Sequence, residues 1–592
     1  MRMIWLNSNQ CFELPIPRRN PVGSNLTRGD RRHRIAIDDH HYLHYRQRDT
    51  DRGAHMSPTP LKPLPLPDNI TTGYWEAARA GRLAVQYCPG CARYVHLPAD
   101  VCPRCDTPDL QWHPVSGRAT LYSYTVVHDA PAPGFADSLP YIVGVAELEE
   151  QSGLLITTNL VDVDPGDLRI GLDLDVMFDE LAPRHHRAPV PPQEGLTMWD
   201  YRDKVAIAGI GYTELIRRNP RTLASLTVEA TDAALSDSGL SREDIDGLAT
   251  TPTMPVYGGE KGNQDGIDVV TPAYLAGALK IRDQITWLGN TSPMVTHAAI
   301  DAINALVAGA CTHVVLYRAL HMPQGRYSNF TSTHASGKDQ FFAPYGFSIP
   351  AAWAATVARR YLETSGATRE SFANFVVDNR ERAHLNPNSY FRGKTLTRDE
   401  YLTSRMVADP ITMLDCDLPV DGAVAIVLTR ADRARDLRNP PAMISGYATS
   451  NHVGATGVPM TLEDIRAGAH ATGERLWAAA GIDRGDIDIA QLYDGFSIFT
   501  YTWLEGLGFC GAGDAAGFID DGNARPTGSL PLNTGGGCLA EGRLHGMTQL
   551  TEAAYQVTGR AGQRQIPDAR RSVVTVSNGL AGSTAFVISA DR

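Results

Sequence analysis

Four cysteines carry the plainest chemistry in this sequence. Cys88-Pro-Gly-Cys91 and Cys102-Pro-Arg-Cys105 are two C-x2-C knuckles separated by ten residues, the spacing that gathers four thiolates around one tetrahedral zinc. With cysteine at all four positions no coordination site is left for water or substrate, so the zinc expected here is structural and takes no part in turnover. A second chemical segment is Asn533-Thr-Gly-Gly-Gly-Cys-Leu-Ala-Glu-Gly542. Its glycines, Gly535, Gly536 and Gly537, offer unhindered backbone amides, suited either to an oxyanion site or to a plain tight turn. Cys538 in the same run is a candidate nucleophile. Asp415 and Asp421, in Leu414-Asp-Cys-Asp-Leu-Pro-Val-Asp-Gly422, read as turn and cap residues.

Elements that could position these residues fall into several blocks, as 592 residues require. Residues 1–55 are rich in arginine and histidine without an apolar h-region, so they are no secretory signal. They read as a disordered or mis-called extension, with Met56 as the natural start. A Pro-rich approach, a helix-like patch at Tyr74 to Gly81 and the cysteine segment make up 56–114. Short β-rich runs at Thr120–Val127, Tyr141–Glu147, Leu154–Leu160 and Leu174–Phe178 predict a small antiparallel barrel over 115–181. Residues 182–203 are polar and Pro-rich, a linker. From Lys204 onward strands and helices alternate, beginning with strand Val205–Ile210 and helix Leu223–Ser238.

An internal echo organises that last block. Asp237-Ser-Gly-Leu-Ser-Arg-Glu-Asp-Ile-Asp246 is matched by Ala480-Gly-Ile-Asp-Arg-Gly-Asp-Ile-Asp488, each after a helical segment and before a strand. Upstream of each lies a strand running into glycine, Val205-Ala-Ile-Ala-Gly209 and Ala442-Met-Ile-Ser-Gly446. The two copies predict a duplicated α/β domain over 204–592, with halves at about 204–435 and 436–592. Composition narrows the function classes further. A net charge of −12 without a basic stripe argues against nucleic acid. No uncharged apolar run is long enough to span a membrane. Nine cysteines in so long a chain point to a reducing, cytoplasmic setting and not to a disulfide scaffold.

The duplicated α/β block, with its Gly-rich segment near the end, resembles the thiolase superfamily over roughly 204–592. Ser404-Arg-Met-Val-Ala-Asp-Pro-Ile411, the 414–423 run and Leu492-Tyr-Asp-Gly-Phe-Ser497 resemble its sterol-carrier-protein branch. Residues 57–181 resemble the acyl-CoA-associated zinc-ribbon/OB-fold proteins (domain of unknown function 35), which accompany thiolase-like enzymes as partner subunits. The fold class expected is therefore a multidomain chain: a rubredoxin-like zinc ribbon and an OB-fold β-barrel, then a duplicated α/β thiolase-like fold. The resemblance also implies a homodimer through the thiolase-like domain, with the fused domain replacing a separate partner.

Departures from the thiolase pattern redirect the chemistry. Gly289-Asn-Thr-Ser-Pro-Met-Val295, where the nucleophilic cysteine of thiolases would stand at a helix start, has none. Val574-Thr-Val-Ser-Asn-Gly-Leu580, matching their second cysteine, lacks it too. His-Asp-x-Phe is replaced by Tyr493-Asp494-Gly495-Phe496, and Gly-His-Pro by Gly542-Arg543-Leu544-His545. This combination resembles the thiolase-fold aldolases of steroid side-chain breakdown, and implies retro-aldol cleavage of a β-hydroxyacyl-CoA to a ketone and a short acyl-CoA such as propionyl-CoA. A retro-aldol needs a base for the hydroxyl proton and donors for the enolate oxygen, not a cysteine. Tyr493 is expected as phenolate or proton relay, with Asp494 beside it and Arg543 lowering the phenol pKa. His545 is expected to stabilise or reprotonate the enolate, and Gly536 and Gly537 to bind the thioester oxygen. Arg118 and the Tyr122/Tyr124 strand are expected to help bind CoA or close the site. Two other functions fit the same residues: an acyltransferase using Cys538, and a silent acyl-CoA or lipid-binding scaffold.

Overall fold

In the computed structural model of the chain, the described residues are 2–8, 62–129, 131–132, 134–181, 201–251, 270–291, 293–321, 334–454 and 458–591. Almost all of the expected linker, and the proposed start at Met56, lie outside them. Helix Thr72–Arg79 leads into a three-stranded ribbon of Ala84–Cys88, Arg93–Val95 and Gln111–Pro114. The barrel follows as Arg118–Val127, Tyr141–Leu148, Leu155–Val161 and Asp173–Leu181. Arg2–Ser8 inserts between the last two of these, antiparallel to one and parallel to the other, and so closes the barrel. Of the 1–55 segment, Arg2–Ser8 is the part the structure describes, and it pairs as a strand of the barrel. The run Met3-Ile-Trp-Leu6 has strong β propensity, and the barrel has two facing strands that pair with it on either side.

The ribbon and barrel are docked firmly on residues 335–412. Val127 pairs with Ala408, extending the barrel sheet into the larger domain. Ser123 Oγ donates to the Thr356 carbonyl, Thr125 Oγ1 to that of Asp409 and Tyr141 OH to that of Gly346. Trp75 is fully buried and stacks on Phe341 at 5.5 Å. One continuous apolar core runs from Tyr74 and Trp75 through Phe341 and Phe347 to Tyr501 and Trp503. Burial on this scale makes the two parts one cooperative body.

The larger domain is built on a nine-stranded sheet in the order Trp287–Asn290, Gly247–Thr250, His313–Leu320, Gly422–Arg430, Val205–Tyr212, Ala442–Thr449, Thr584–Ala590, Arg571–Val576, Ile489–Gln491. Reading outward from the central pair, the second half runs first, last, third and second strand, and the first half runs first, last, fourth and second with its third strand, Trp287–Asn290, added at the edge, so the duplication seen in the sequence is a duplication of topology apart from that one strand. The halves join where Ala206 and Ile207 pair with Met443 and Ala442. The repeated glycines explain themselves here. Gly209 and Gly446 each sit at a register shift, where a Cβ would come within 2.3 Å of the Ala234 carbonyl or 2.8 Å of Ala480 on the covering helix. Those helices, Leu223–Ser238 and Leu462–Ala480, end on left-handed Gly239 and Gly481 and are followed by matching capping boxes, Ser241 with Asp244 and Asp483 with Asp486.

Candidate active site

The Tyr-Asp-Gly-Phe loop leaves the short strand Ile489–Gln491 under tight control. Asn533 Oδ1 accepts from the Leu492 amide at 2.7 Å and Thr575 Oγ1 from the Tyr493 amide at 2.9 Å. The 414–421 run then stitches this loop to the Gly-rich segment. Asp417 N donates to the Gly495 carbonyl, Leu418 N to that of Cys538, and Arg543 N to that of Leu418. Asp415 accepts from Tyr401, Ser497 and the Thr412 amide, and Asp421 from the Asn219 amide. Asp415 therefore acts as a cap residue, closing a box with Thr412, whereas Asp421 ties its run to a segment 202 positions away.

The side chains expected to do chemistry converge on this seam. Arg543 lies 3.7 Å from Asp417, and its charge is felt by Tyr493, His545 and Cys538. His545, buried and with a left-handed φ of 54°, precedes Gly546. A Cβ on Gly546 would strike Val576 at 2.5 Å and Thr296 at 3.0 Å. The histidine thus sits where the start of helix Val295–Ala308 meets the end of strand Arg571–Val576, beside both segments that lack the thiolase cysteines. Thr584 and Thr296 share a 2.8 Å hydroxyl bond across that junction.

Charge states differ from the expectation in three places. Burial and the neighbouring Asp417 raise the Tyr493 phenol well above its ordinary value, and Arg543 offsets this only in part. A resting phenolate is therefore not supported, and the phenol remains as a proton relay. Burial, then Arg543 and Arg318, hold His545 well below the usual imidazole range. Burial and Asp494 push the Cys538 thiol well up, and its Sγ accepts from Gln549 Nε2 at 3.1 Å, an environment opposite to that of a nucleophilic cysteine.

Asp494 is the clearest change of role. It is fully buried and accepts from the Cys538 amide at 2.7 Å, the Leu539 amide at 3.3 Å and Asn379 Nδ2 at 3.0 Å. Asn379 is in turn held by Arg382, whose other nitrogen reaches the Ala524 carbonyl. Burial pushes the Asp494 carboxyl up to about 7 despite those bonds. Asp494 thus holds the Gly-rich segment in place. Of the two glycines expected to bind the thioester oxygen, Gly536 has its amide engaged within the segment. The Gly536 amide donates to the Asn533 carbonyl, and the Cys538 and Leu539 amides serve Asp494. A Cβ at Gly537 would stand 2.2 Å from Asp494 Oδ2, and at Gly536 2.6 Å from the Ala383 Cβ. Close packing requires glycine at both positions.

Arg118, Tyr122 and Tyr124 are likewise engaged elsewhere. Arg118 pairs with Glu149, Tyr122 hydrogen-bonds Glu463 beneath the Arg360 guanidinium, and Tyr124 donates to the Leu168 carbonyl beneath Arg359. Tyr122 and Tyr124 dock the barrel on the larger domain, whereas the Arg118–Glu149 pair lies within the barrel. Sequence reasoning missed Asp417, Asn379 and Arg318. Asp417 lay inside a run already singled out, whereas the other two sit in a helix and a strand with nothing local to mark them.

In the ribbon, the sulfurs of Cys88 and Cys105 are 3.5 Å apart and those of Cys91 and Cys102 3.6 Å, with all four within 4.8 Å of one another. Four thiolates at about 2.3 Å from one zinc stand roughly 3.8 Å apart, so this cluster fits the ion. Among the described residues no helix is long and apolar enough to cross a membrane.

Three family models match the chain: a rubredoxin-like zinc ribbon domain of ChsH2 over 75–111, the C-terminal OB-fold domain of ChsH2 over 112–179, and a thiolase C-terminal domain-like family over 449–591. The chain is 38% identical over 368 residues to a 17-hydroxy-3-oxo-4-pregnene-20-carboxyl-CoA lyase of Mycobacterium tuberculosis, covering 60% of this chain and 92% of that protein. It is 34% identical over 406 residues to a steroid side-chain-cleaving aldolase of Thermomonospora curvata, covering 65% and 98% respectively. Among solved structures, an Ltp2-ChsH2(DUF35) aldolase superposes with a TM-score of 0.58 at 31% identity, covering 66% of this chain and 99% of that one.

Proposed function

The chain belongs to the thiolase-fold steroid side-chain-cleaving aldolases, and from that premise we propose how its own residues run a retro-aldol cleavage. It is a carbon–carbon lyase of the acyl-CoA class. The substrate we assign is a steroid β-hydroxyacyl-CoA of the kind named for the mycobacterial relative. The observation that carries the mechanism is the cysteine-free junction around His545, faced by Tyr493 and Arg543. In the reaction the tertiary hydroxyl loses its proton, the Cα–Cβ bond breaks toward the thioester, and the enolate takes a proton at Cα. The products are a ketosteroid and propionyl-CoA. Tyr493 relays the hydroxyl proton, with Asp417 the carboxylate nearest in influence, and His545 and Arg543 stabilise the enolate oxygen. Asp494 acts through the segment it holds. The buried, protonated Cys538 speaks against the acyltransferase alternative.

The four ribbon cysteines would hold a structural zinc, distant in role from the chemistry. A homodimer through the thiolase-like domain is supported by the edge strand Trp287–Asn290, where Leu288 is 46% exposed, next to the 39% exposed Tyr274. The eight described cysteines, all without disulfide partners, fit a cytoplasmic setting.

The test is product analysis with 17-hydroxy-3-oxo-4-pregnene-20-carboxyl-CoA, with and without prior iodoacetamide. A 17-ketosteroid and propionyl-CoA are expected in equal amounts, undiminished by alkylation. A covalent acyl adduct on Cys538 would replace this reading with the acyltransferase one, and absence of cleavage would remove the proposed substrate.

A further inference from the structure

Arg318 stands near the end of strand His313–Leu320, in the first half of the domain, which also supplies Asp417 and Asn379. It is 2% exposed. Its Nε donates to His545 Nδ1 at 3.2 Å, and its Nη1 to the Thr251 carbonyl at 3.1 Å. The partners lie 227 positions apart in sequence, so the contact exists only because the two halves share one sheet.

The direction of that hydrogen bond follows from chemistry alone. A guanidinium carries five N–H donors and no acceptor, so the hydrogen between Arg318 and His545 belongs to Arg318 and Nδ1 must present its lone pair. A neutral imidazole with a bare Nδ1 carries its proton on Nε2. An imidazolium would instead set an N–H against an N–H.

We propose that Arg318 is a positioning residue that fixes His545 as the neutral Nε2–H tautomer, so that His545 serves the cleavage by donating a hydrogen bond to the thioester oxygen and not by transferring a proton. This deepens the aldolase reading and rests on it for the identity of the acceptor. The charged groups facing the ring are Arg318 from the neighbouring strand and Arg543 from the ring's own loop, and both oppose a second positive charge on it. Burial and Arg543 bring the Arg318 guanidinium down to about 9, which leaves it charged at neutral pH. The ring has little freedom to turn away, because His545 and Gly546 both hold left-handed backbone angles against Val576 and Thr296. Of the two roles open to His545, reprotonation of Cα requires an imidazolium, which Arg318 excludes. Stabilising the enolate requires only a fixed donor, which Arg318 provides.

The tautomer is read directly from nitrogen NMR of the full chain labelled with 15N-histidine, with the His545 signals assigned by their loss in His545→Gln. We expect one bare acceptor nitrogen and one N–H nitrogen, unchanged from about pH 8 to about pH 5, where a histidine of ordinary pKa would become charged. Arg318→Gln should lower kcat by roughly 10²-fold with little change in KM, as loss of one oxyanion donor does, and should let His545 show Nδ1–H or imidazolium signals. Arg318→Lys, which keeps a cationic N–H donor, should recover about tenfold of that loss. A wild-type spectrum with Nδ1–H or an imidazolium at neutral pH would overturn the proposal, as would a folded Arg318→Gln with wild-type turnover and tautomer. If Arg318→Gln does not fold, the wild-type spectrum alone decides. Since the spectrum needs no substrate, an Nε2–H tautomer together with full turnover in His545→Gln would overturn the role given to His545 in the cleavage and leave the tautomer standing.

Discussion

Asp246 in the first half of the thiolase-like domain and Asp488 in the second occupy the same point of the repeat and make the same bonds. Asp246 accepts from the amides of Thr312 and His313, at the start of strand His313–Leu320. Asp488 accepts from those of Arg570 and Arg571, at the start of strand Arg571–Val576. Each aspartate ties the next-to-last sheet strand of its half to the end of the 3-10 turn before the aspartate. Beyond that point the halves part. In the second, the chain from Gln491 to Arg571 carries Tyr493, Asp494, Arg543 and His545, whereas the first half contributes Arg318, Asp417, Asn379 and the cysteine-free start of helix Val295–Ala308. Repetition preserved the frame, and the chemistry lies where the connections between equivalent strands diverged. On the mechanism proposed above, one duplicated scaffold thereby exchanges a covalent thiol mechanism for a proton-relay one.

The largest effect should come from the divergent side. Tyr493→Phe keeps the ring, which stacks toward Phe499, and removes only the hydroxyl. We expect kcat for steroid-CoA cleavage to fall about 10³-fold, roughly 4 kcal/mol of barrier, with the unfolding midpoint unchanged. Full activity in this variant would move the proton relay elsewhere on the seam.

A smaller effect should mark the seam between the halves. Glu541, from the second half, accepts from Tyr212 OH of the first at 2.9 Å and is 2% exposed. Burial, and then the charge of Glu552, raise its carboxyl from an ordinary 4.5 to about 8. The folded state therefore binds a proton that the unfolded chain has lost between about pH 4.5 and 8, so this contribution to stability falls as pH rises through that window. Glu541→Gln removes the titration and keeps an acceptor for Tyr212. Denaturant unfolding at pH 6 and pH 9 should show the variant gaining roughly 2 to 3 kcal/mol on the wild type between the two, at about 1.4 kcal/mol per pH unit. Parallel pH curves would mean that Glu541 is ionised throughout.

The features legible in the sequence were those encoded locally. The cysteine spacing, the four barrel runs and the paired Gly-x-x-Arg-x-Asp-Ile-Asp segments each state their geometry within a dozen residues. The observed strands Arg118–Val127 and Tyr141–Leu148 extend the expected runs by only two residues and one. What escaped depends on partners far along the chain. Nothing in His313-Val-Val-Leu-Tyr-Arg-Ala-Leu320 separates Arg318 from a strand-end arginine facing water, until His545 arrives from 227 positions away. Asp494 stands beside Tyr493 in sequence, and adjacency suggested a shared task. Successive residues leaving a strand point to opposite sides, however, and Asp494 meets the Cys538 amide while Tyr493 faces Arg543 and Asp417. The phenol pKa was misjudged for a related reason: Arg543 was visible in the sequence as a cation, but Asp417 and the depth of burial were not. Arg2–Ser8 was set aside because its surroundings are arginine-rich, although the strand itself is apolar.

The repeat itself predicts the smallest effects, and predicts them to be unequal. Asp246→Ala leaves two backbone amides and the Thr312 hydroxyl without their acceptor at a half-buried site, which should cost about 2 kcal/mol. Asp488→Ala strands two amides at an exposed site, where water replaces the carboxylate, and about 1 kcal/mol is expected. Chemical denaturation of both variants, with kcat measured per folded molecule, separates frame from chemistry. Turnover should be unchanged in either, because neither aspartate touches the seam. If Asp488→Ala lost turnover while Asp246→Ala did not, the clamp in the second half would be setting the exit of the chain toward Tyr493 as well as holding strand Arg571–Val576, and the division between a repeated frame and a divergent site would fail at that residue.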